Sequence, residues 1–154
     1  MNHVRYNLNH ADLGPPANVN REAIRYKKCC GYNCYNVAAL QETLLGRMKA
    51  YRFRVWADGT DLGELSSVCF MICNGKYCGG GMVINPFGAM NDGLMDLLYV
   101  SDPKLQTLWG MADVLNKANK LGGTHVYDQT STFLRCKRLV MEFKGVEGQK
   151  EMKT

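Results

Sequence analysis

Three consecutive glycines, Gly79 to Gly81, are the first feature of the sequence that could do chemistry. A glycine-rich loop can hold a phosphate, because its backbone amides are accessible and no side chain blocks the approach. Dinucleotide-binding loops lead directly into a helix. Here the run leads into strand-like Met82-Val83-Ile84 and then Asn85-Pro86. The alternative is therefore favoured, that the glycines bend a strand or let two backbones approach closely.

Two carboxylates, Asp92 and Asp96, follow in the sequence Asn-Asp-Gly-Leu-Met-Asp at 91–96. Asp92-Gly93 is typical of a tight turn, and Asp96 belongs to a strand candidate, where it is either part of a site or a surface residue. Another Asp-Gly pair, in Asp58-Gly59-Thr60, follows Trp56-Ala57. Those two side chains would obstruct a phosphate, so we interpret this pair as a turn rather than a nucleotide-binding loop.

Seven cysteines and three histidines are the remaining candidates for metal or redox chemistry. The odd number of cysteines argues against a closed set of disulfides, and the lack of a Cys-x-x-Cys pair argues against a structural zinc site. Cys69 and Cys73 lie in an apolar run, where a thiol is usually a small core residue. We therefore expect a reducing, cytoplasmic environment. His125 is alone, and such a histidine is more often structural than catalytic.

Strands are the main elements predicted to position these residues. Alternating or continuous apolar runs bounded by turn signals predict strands at 51–56, 68–73, 82–84, 94–100 and 133–143. Strand follows strand through the middle of the chain without an intervening helix. This order favours an antiparallel, sandwich-like sheet over a doubly wound parallel sheet.

Two helices are predicted beside these strands. Apolar residues recur at helical spacing in 36–49. The second helix begins at Asp102-Pro103, a capping residue followed by a proline at the first helical position, and ends at Gly122-Gly123. Its predicted apolar face consists of Leu105, Leu108, Trp109, Ala112 and Leu115.

Length and composition indicate one globular domain: 154 residues, of which 46% are apolar and 21% charged. Residues 1–20 are polar and contain Gly14-Pro15-Pro16, so they are predicted to be a flexible leader. Residues 21–144 then form the domain, and residues 145–154 a polar tail. No apolar run reaches the length that spans a bilayer, so we expect a chain that is soluble or peripheral to membranes.

The formal charge of +5 could favour anionic partners or be an ordinary solvated surface. Basic residues are concentrated at 21–28 and 135–138. Neither group forms a long basic tract or a stripe with interleaved aromatic residues, so no nucleic-acid partner is predicted.

The segment from Ile72 to Asp96 combines these features in a fixed order: Asn74-Gly75 after a strand, three glycines, Asn85-Pro86, and Asp-Gly-Leu-Met-Asp. In this it resembles the C-terminal domain of the diacylglycerol kinase and sphingosine kinase superfamily, especially the bacterial-type lipid kinases. The resemblance covers residues 30–144. It implies an α+β fold that is mainly β, an antiparallel β-sandwich-like domain with two flanking helices, shortened relative to the whole enzyme.

Two motifs of that family are not found in the sequence. One is an ATP site resembling Gly-Gly-Asp-Gly-Thr, which belongs to a separate N-terminal domain. The other is an Asp-Gly-Glu-like motif beyond the last strand, whose carboxylate is proposed as general base for the lipid hydroxyl. Glu147-Gly148 lies near that place but lacks the preceding Asp-Gly. The resemblance thus implies a lipid-binding half with no catalytic residue of its own, inactive in isolation.

The resemblance also implies one metal site. In bacterial-type members a structural Mg²⁺ or similar ion is held at the Asp-Gly turn by the aspartate and by backbone carbonyls three residues before and two after it. The corresponding residues here are Ala89, Asp92 and Leu94, and oxygen ligands suit a hard cation. Apolar residues that could line an acyl-chain groove, or be ordinary core, are Phe70, Met71, Met82, Ile84, Met90 and Met95.

Two functions are therefore open. The chain could be the lipid-substrate domain of an ATP-dependent lipid kinase that phosphorylates a diacylglycerol- or sphingoid-type hydroxyl. Its partners would then be the lipid, a membrane surface and a nucleotide-binding domain that these residues do not contain, with Mg²⁺ and ATP in the whole enzyme. It could instead be a non-catalytic lipid- or protein-binding module derived from such a kinase.

Overall fold

The structure, a computed structural model, describes residues 6–7, 9–79, 81–100, 108–119, 122–127 and 131–148. Its α-helices are α1 (Pro15–Cys30), α2 (Cys34–Leu44) and α3 (Leu108–Asn119). Its strands are β1 (His10–Leu13), β2 (Tyr51–Ala57), β3 (Thr60–Ser67), β4 (Cys69–Cys73), β5 (Tyr77–Cys78), β6 (Met82–Val83), β7 (Met95–Val100), β8 (Ser131–Cys136) and β9 (Leu139–Val146). None of the helices within these ranges has the length and apolarity needed to cross a bilayer.

Two antiparallel sheets pack face to face. One has the strand order β1-β4-β7-β8 and the other β3-β2-β9. Phe53 and Val55 of β2 are buried against Phe70 of β4 and Leu97 of β7, and the ring centroids of Phe53 and Phe70 are 5.1 Å apart. The predicted fold, α+β with an antiparallel sandwich, is confirmed, although the described residues contain three helices rather than two.

The helices cover the other face of the four-stranded sheet. Because side chains alternate along a strand, Met71 and Cys73 of β4 point away from the sandwich core, as does Leu98 of β7. Val114 of α3 packs against a small cluster at the end of that sheet, while α1 and α2 pack against each other. The molecule therefore has three layers, sheet, sheet and helices.

The prediction of a flexible leader is wrong for residues 10–20. His10–Leu13 pairs with Phe70–Cys73 as an edge strand, and α1 begins immediately afterwards. Gly14 has a φ of 78°, which places the chain at the angle needed to enter the helix. Pro15 and Pro16 occupy the first helical positions, where the missing amide hydrogen is no loss. The breaker residues start a helix here instead of ending structure.

The single strand predicted at 133–143 is two strands in different sheets. β8 pairs with β7, whereas β9 pairs with β2. Asp58, in the β2–β3 turn, accepts hydrogen bonds from the backbone amides of Lys137 and Arg138 at 3.0 and 2.7 Å. This carboxylate holds the chain where it crosses from one sheet to the other. β9 also continues to Val146, into the predicted tail.

The two predicted helices exist with different limits. α2 ends at Leu44, since Gly46 has a φ of 64° and the Arg47 amide bonds back to the Glu42 carbonyl at 3.0 Å. The predicted cap at Asp102-Pro103 lies outside the described residues. Trp109 is 82% exposed, so it does not belong to the inner face of α3, which instead presents Val114 and the fully buried Ala118.

Candidate functional site

Asp96 is the centre of a buried polar cluster beneath the β6–β7 connection. Only 3% of the residue is exposed, so it is neither a surface residue nor free. Nδ2 of Asn85 donates a hydrogen bond to Oδ2 of Asp96 at 2.7 Å, and Nε of Arg135 donates to Oδ1 at 2.7 Å. The hydrogen bond with Asp96 raises the pKa of Arg135, which secures its positive charge. The cluster is therefore a neutralised structural anchor.

The Asp92 turn lies directly above this anchor. The Asp92 amide donates to the Ala89 carbonyl at 3.4 Å, and Oδ1 of Asp92 accepts the Leu94 amide at 3.0 Å. Oδ2 of Asp92 lies 3.9 Å from Nη1 of Arg135, and a quarter of the side chain is exposed. The turn thus hydrogen-bonds Asp92 to Ala89 and Leu94, the two other residues named for a cation. A metal ion at this turn stays a prediction.

Within the described part of the chain, no group of three or more His, Cys, Asp or Glu side chains could hold a metal. An ion at the Asp92 turn would therefore depend on backbone carbonyls as much as on the carboxylate. Such mixed oxygen sets are normal for Mg²⁺ and Ca²⁺.

Close backbone approach explains Gly88, in the β6–β7 connection. A Cβ atom on Gly88 would lie 2.8 Å from the Gly75 carbonyl carbon, which leaves no room for a side chain there. The β6–β7 connection can therefore lie on the end of β4 only because residue 88 is glycine. In the glycine run, the Gly81 amide bonds to the Cys78 carbonyl at 3.0 Å and closes the β5–β6 turn. Gly79 and Gly81, with φ of 43° and 100°, thus lie in the turn of a hairpin, where the sequence had suggested a bent strand or a close approach of two backbones.

An apolar cavity of about 120 Å³ lies between the four-stranded sheet and the helices. Its walls come from β4 and β7 on one side and from all three helices on the other. Most of the lining side chains are aliphatic or sulfur-containing, including Met48, Met71, Met82, Ile84 and Leu98. Methionine adapts its shape easily, so the space can widen for a guest.

Of the six residues named for an acyl-chain groove, Met71, Met82 and Ile84 line this cavity. The others lie elsewhere: Phe70 in the core between the sheets, Met90 exposed on the β6–β7 connection, and Met95 half-buried at the start of β7.

The cavity has one polar end, formed by His10, Asp12 and Asn20. Nδ2 of Asn20 donates a short hydrogen bond to Oδ2 of Asp12, and Nε2 of His10 lies 3.4 Å from the same oxygen. The hydrogen bond with Asp12 raises the pKa of His10, although burial acts in the opposite direction. A carboxylate and an imidazole therefore meet at the wall of a mostly apolar space.

His125 is buried and also lines the cavity. Its Nε2 lies 3.1 Å from the Ile84 carbonyl, next to Asn85. Gly123 just before it has a φ of 88°, and a Cβ there would lie 2.8 Å from the Val83 carbonyl. The Gly-x-His segment thus packs against β6 and holds the wall of the cavity, which agrees with a structural role.

The cysteines around the cavity are poor nucleophiles. Burial raises the pKa of the Cys73 thiol to about 12 and that of Cys78 to about 12, and it raises the pKa of Cys69 further still. A thiol that stays protonated is inert. These three residues act as small apolar side chains, as predicted for Cys69 and Cys73.

Sequence reasoning missed the polar end of the cavity, because it lies in the segment interpreted as a leader. The available signal was the alternation of polar and apolar residues at 10–13, which places His10 and Asp12 on the same side of a strand. It missed Arg135 for another reason: this residue looked like part of a basic cluster, and only its pairing with β7 places it opposite Asp96.

Comparison with known proteins agrees with this fold. The sequence model of the YegS C-terminal, NAD kinase beta sandwich-like domain matches residues 10–153. Two solved structures from Bacillus anthracis str. Sterne, each named as a diacylglycerol kinase, have the same fold. One superposes with a TM-score of 0.62 at 22% identity over 96% of this chain, the other with 0.59 at 20% over 94%. A search of the curated proteins finds no significant match.

The chain spans about half the length of these structures, 48% and 42% respectively. The family match begins at residue 10 and so includes β1 and α1, the part that the sequence had assigned to a leader. Since that match covers most of the chain, the chain belongs to the family of YegS C-terminal, NAD kinase β-sandwich-like domains.

Proposed function

We propose that this domain is the lipid-substrate half of an ATP-dependent lipid kinase. In the whole enzyme, a separate nucleotide-binding domain would hold ATP, whose γ-phosphoryl group is transferred to a diacylglycerol- or sphingoid-type hydroxyl. The observation that carries the proposal is the mostly apolar cavity with a carboxylate, Asp12, in its wall, on a fold shared with proteins named as diacylglycerol kinases.

The cavity suits an alkyl chain. Its volume of about 120 Å³ is close to that of an engineered apolar cavity of about 150 Å³ that binds benzene. It therefore accommodates part of a chain as it stands. Movement of Met48, Met71 and Met82 can extend it. The rest of the lipid would lie outside, toward the polar end.

The α1–α2 hairpin supports docking at an anionic bilayer. Its two acidic side chains, Glu22 and Glu42, are buried, so the charges it exposes are basic. The exposed cations are Arg21, Arg25, Lys27 and Lys28, and the exposed apolar side chains are Ile24, Leu40, Leu44 and Leu45. Apolar residues beside cations are typical of surfaces that rest on anionic lipid headgroups.

The Asp92 turn would hold the structural cation. The Asp92 carboxylate and the carbonyls of Ala89 and Leu94 supply hard oxygen ligands, and the ion would pin the β6–β7 connection beside the Asp96 anchor. Arg135, 3.9 Å from Asp92, already offsets part of the negative charge. For that reason we expect binding to be weak, in the millimolar range of loosely charged sites.

Catalysis in the whole enzyme would rest on positioning and on electrostatic stabilisation of the transferred phosphoryl group. The residues described here would bind and orient the lipid. None of them is assigned to the phosphoryl transfer itself. The isolated 154 residues are accordingly expected not to phosphorylate lipid.

A second function is a non-catalytic lipid- or protein-binding module. The observation that favours it is an apolar cavity in a sequence without the ATP-loop and general-base motifs of the family. A lipid-binding module and a substrate half both require that lipid enters the cavity, and they differ in whether a nucleotide-binding domain restores transfer.

Binding of an NBD-labelled diacylglycerol to the full chain tests the proposal. Saturable binding is expected in the wild type and should be lost in Ala118→Leu, which adds a side chain at a fully buried position of the cavity wall. Ala112→Leu, at an exposed position of the same helix, serves as control. No binding by the wild type, or full binding by folded Ala118→Leu, would refute the cavity as the lipid site.

Transfer of radiolabelled phosphate from ATP to mixed lipid vesicles separates the two functions. The chain alone should give none. Addition of a nucleotide-binding domain from a lipid kinase of this family should restore transfer if the chain is a substrate half, and should not if it is only a binding module.

A further inference from the structure

Asp12 lies at the polar end of the cavity with one oxygen unused. Only 5% of its side chain is exposed. Oδ2 is engaged by Asn20 and His10, but Oδ1 is buried and has no hydrogen-bond partner in the described part of the chain. Nδ1 of His10 is buried and unpartnered in the same way.

Such a pair of buried polar atoms is unusual. Buried carboxylate oxygens nearly always accept hydrogen bonds, because an unsatisfied one loses its hydration without compensation. Of the lining side chains, Val19, Met71 and Leu98 cannot donate, and the thiols of Cys69 and Cys78, whose pKa burial and Asp12 raise, are only weak donors that make no hydrogen bond to Oδ1 in the described part of the chain. A guest in the cavity is therefore well placed to supply the missing donor.

The geometry points to Asp12 and His10 as the site that binds the headgroup of the lipid whose chain occupies the cavity, an inference that rests on the proposed function. The headgroup must donate a hydrogen bond to Oδ1 of Asp12, so it is an alcohol or an amine. An alcohol can also accept from Nδ1 of a protonated His10, and an ammonium can also donate to Nδ1 of a neutral one.

The Asp12 carboxylate also determines which lipid headgroups are excluded from the site. An anionic headgroup, a carboxylate or a phosphate ester, would bring a second negative charge to a buried site of low dielectric, where like charges repel strongly. A headgroup that only accepts hydrogen bonds would leave Oδ1 unsatisfied. Selectivity for donor headgroups is thus a property of this one side chain.

Four single-chain lipids with the same chain length test the inference: 1-lauroylglycerol, dodecylamine, methyl laurate and laurate. They are titrated into the full chain labelled with ¹³C at the methionine methyl groups. Shifts of the Met71 and Met82 resonances report entry into the cavity. The wild type should bind 1-lauroylglycerol and dodecylamine at least about tenfold more tightly than the other two, since hydrogen bonds to a charged group are strong.

Asp12→Asn keeps the size of the side chain and an acceptor for Asn20, but removes the charge. It should bring the affinities for dodecylamine and laurate to within about threefold of each other. Asp61→Asn removes an exposed carboxylate on β3 that pairs with Arg54 of β2. It should leave the order of the four affinities as in the wild type.

Two results would overturn the inference while leaving the cavity as a lipid site: wild-type affinity for methyl laurate equal to that for 1-lauroylglycerol, or an unchanged order in Asp12→Asn. The first comparison needs no variant, so it holds even if Asp12→Asn fails to fold. If none of the four lipids shifts Met71 or Met82, the proposed function itself fails.

Discussion

Arg135 of β8 lies directly opposite Asp96 of β7 and binds both of its carboxylate oxygens. Nε lies 2.7 Å from Oδ1 and Nη2 lies 3.2 Å from Oδ2. The same Nη2 donates to the Phe87 carbonyl at 2.7 Å, in the connection between β6 and β7. One guanidinium thus joins two strands to the segment that contains the Asp92 turn.

This arrangement predicts that Asp96→Ala destabilises the domain. The change would leave Nδ2 of Asn85, a fully buried residue, without its acceptor, which costs about 1–3 kcal/mol in the free energy of unfolding. Arg135 is more than a third exposed, so water can replace the bonds that it loses. Urea unfolding followed by circular dichroism measures the loss. Asp61→Asn, at the exposed Arg54–Asp61 pair, is the control and should have little effect. Equal losses in the two variants would contradict the role given to Asp96.

Leu44→Glu is expected to weaken binding to vesicles that contain phosphatidylserine by about tenfold, because it replaces an apolar contact by a repelled charge. Leu44 is 69% exposed at the end of α2, in the same helical hairpin as the exposed cations of α1. Flotation with phosphatidylcholine vesicles, with and without phosphatidylserine, measures the effect. Leu62→Glu makes the same change at an exposed position of β3 and should bind as the wild type does. Equal weakening by both variants would show that the hairpin is not the docking surface.

Millimolar Mg²⁺ or Ca²⁺ is expected to raise the melting temperature, because an ion that binds only the folded state stabilises it in proportion to the logarithm of its concentration. Asp92→Asn should abolish this increase, since the site has a single carboxylate. The Asp92→Asn protein without added metal is its own baseline, and Asp113→Asn in α3 is the control. An increase that persists in Asp92→Asn would exclude the turn as the site.

Asp12→Asn is expected to lower the pKa of His10, whose pKa is raised mainly by the hydrogen bond with Asp12. A histidine with a raised pKa in the folded state stabilises the protein below its unfolded pKa of 6.5. That contribution is lost as the pH rises through the folded value. Imidazole proton titration by NMR measures the shift. The loss of unfolding free energy in the variant should be larger at about pH 5.5 than at about pH 9; a loss independent of pH would contradict the pairing.

Strands buried on at least one face could be recognised from the sequence. β2, β4 and β7 have apolar residues wherever the side chain meets the sandwich core, so the pattern records the environment. β1, α1 and β3 were not predicted, because their sequences are polar and rich in residues found in turns. Their stability comes from pairing with distant strands and from packing, which no local pattern reveals.

The candidate site, like the fold, could be predicted from the sequence only in part. The sequence indicated the order of glycines and carboxylates from Asn74 to Asp96, and the structure places this segment as the connection between β4 and β7. It did not indicate that Asp96 is buried, since the partner that neutralises its charge, Arg135, lies 39 residues away. The presence of metal at Asp92 stays a prediction.

The sequence by itself determined the kind of fold and the family, because periodic apolar residues and the Asn-Gly to Asp-Gly-Leu-Met-Asp motif are local properties of the chain. Only the tertiary structure decided that residues 131–146 belong to two sheets, and that His10 and Asp12 line a mostly apolar cavity together with seven other helices and strands. The physical reason is that burial and charge pairing depend on which distant segments meet. Strand register and helix packing determine which distant segments come into contact, and no short stretch of residues determines either of them.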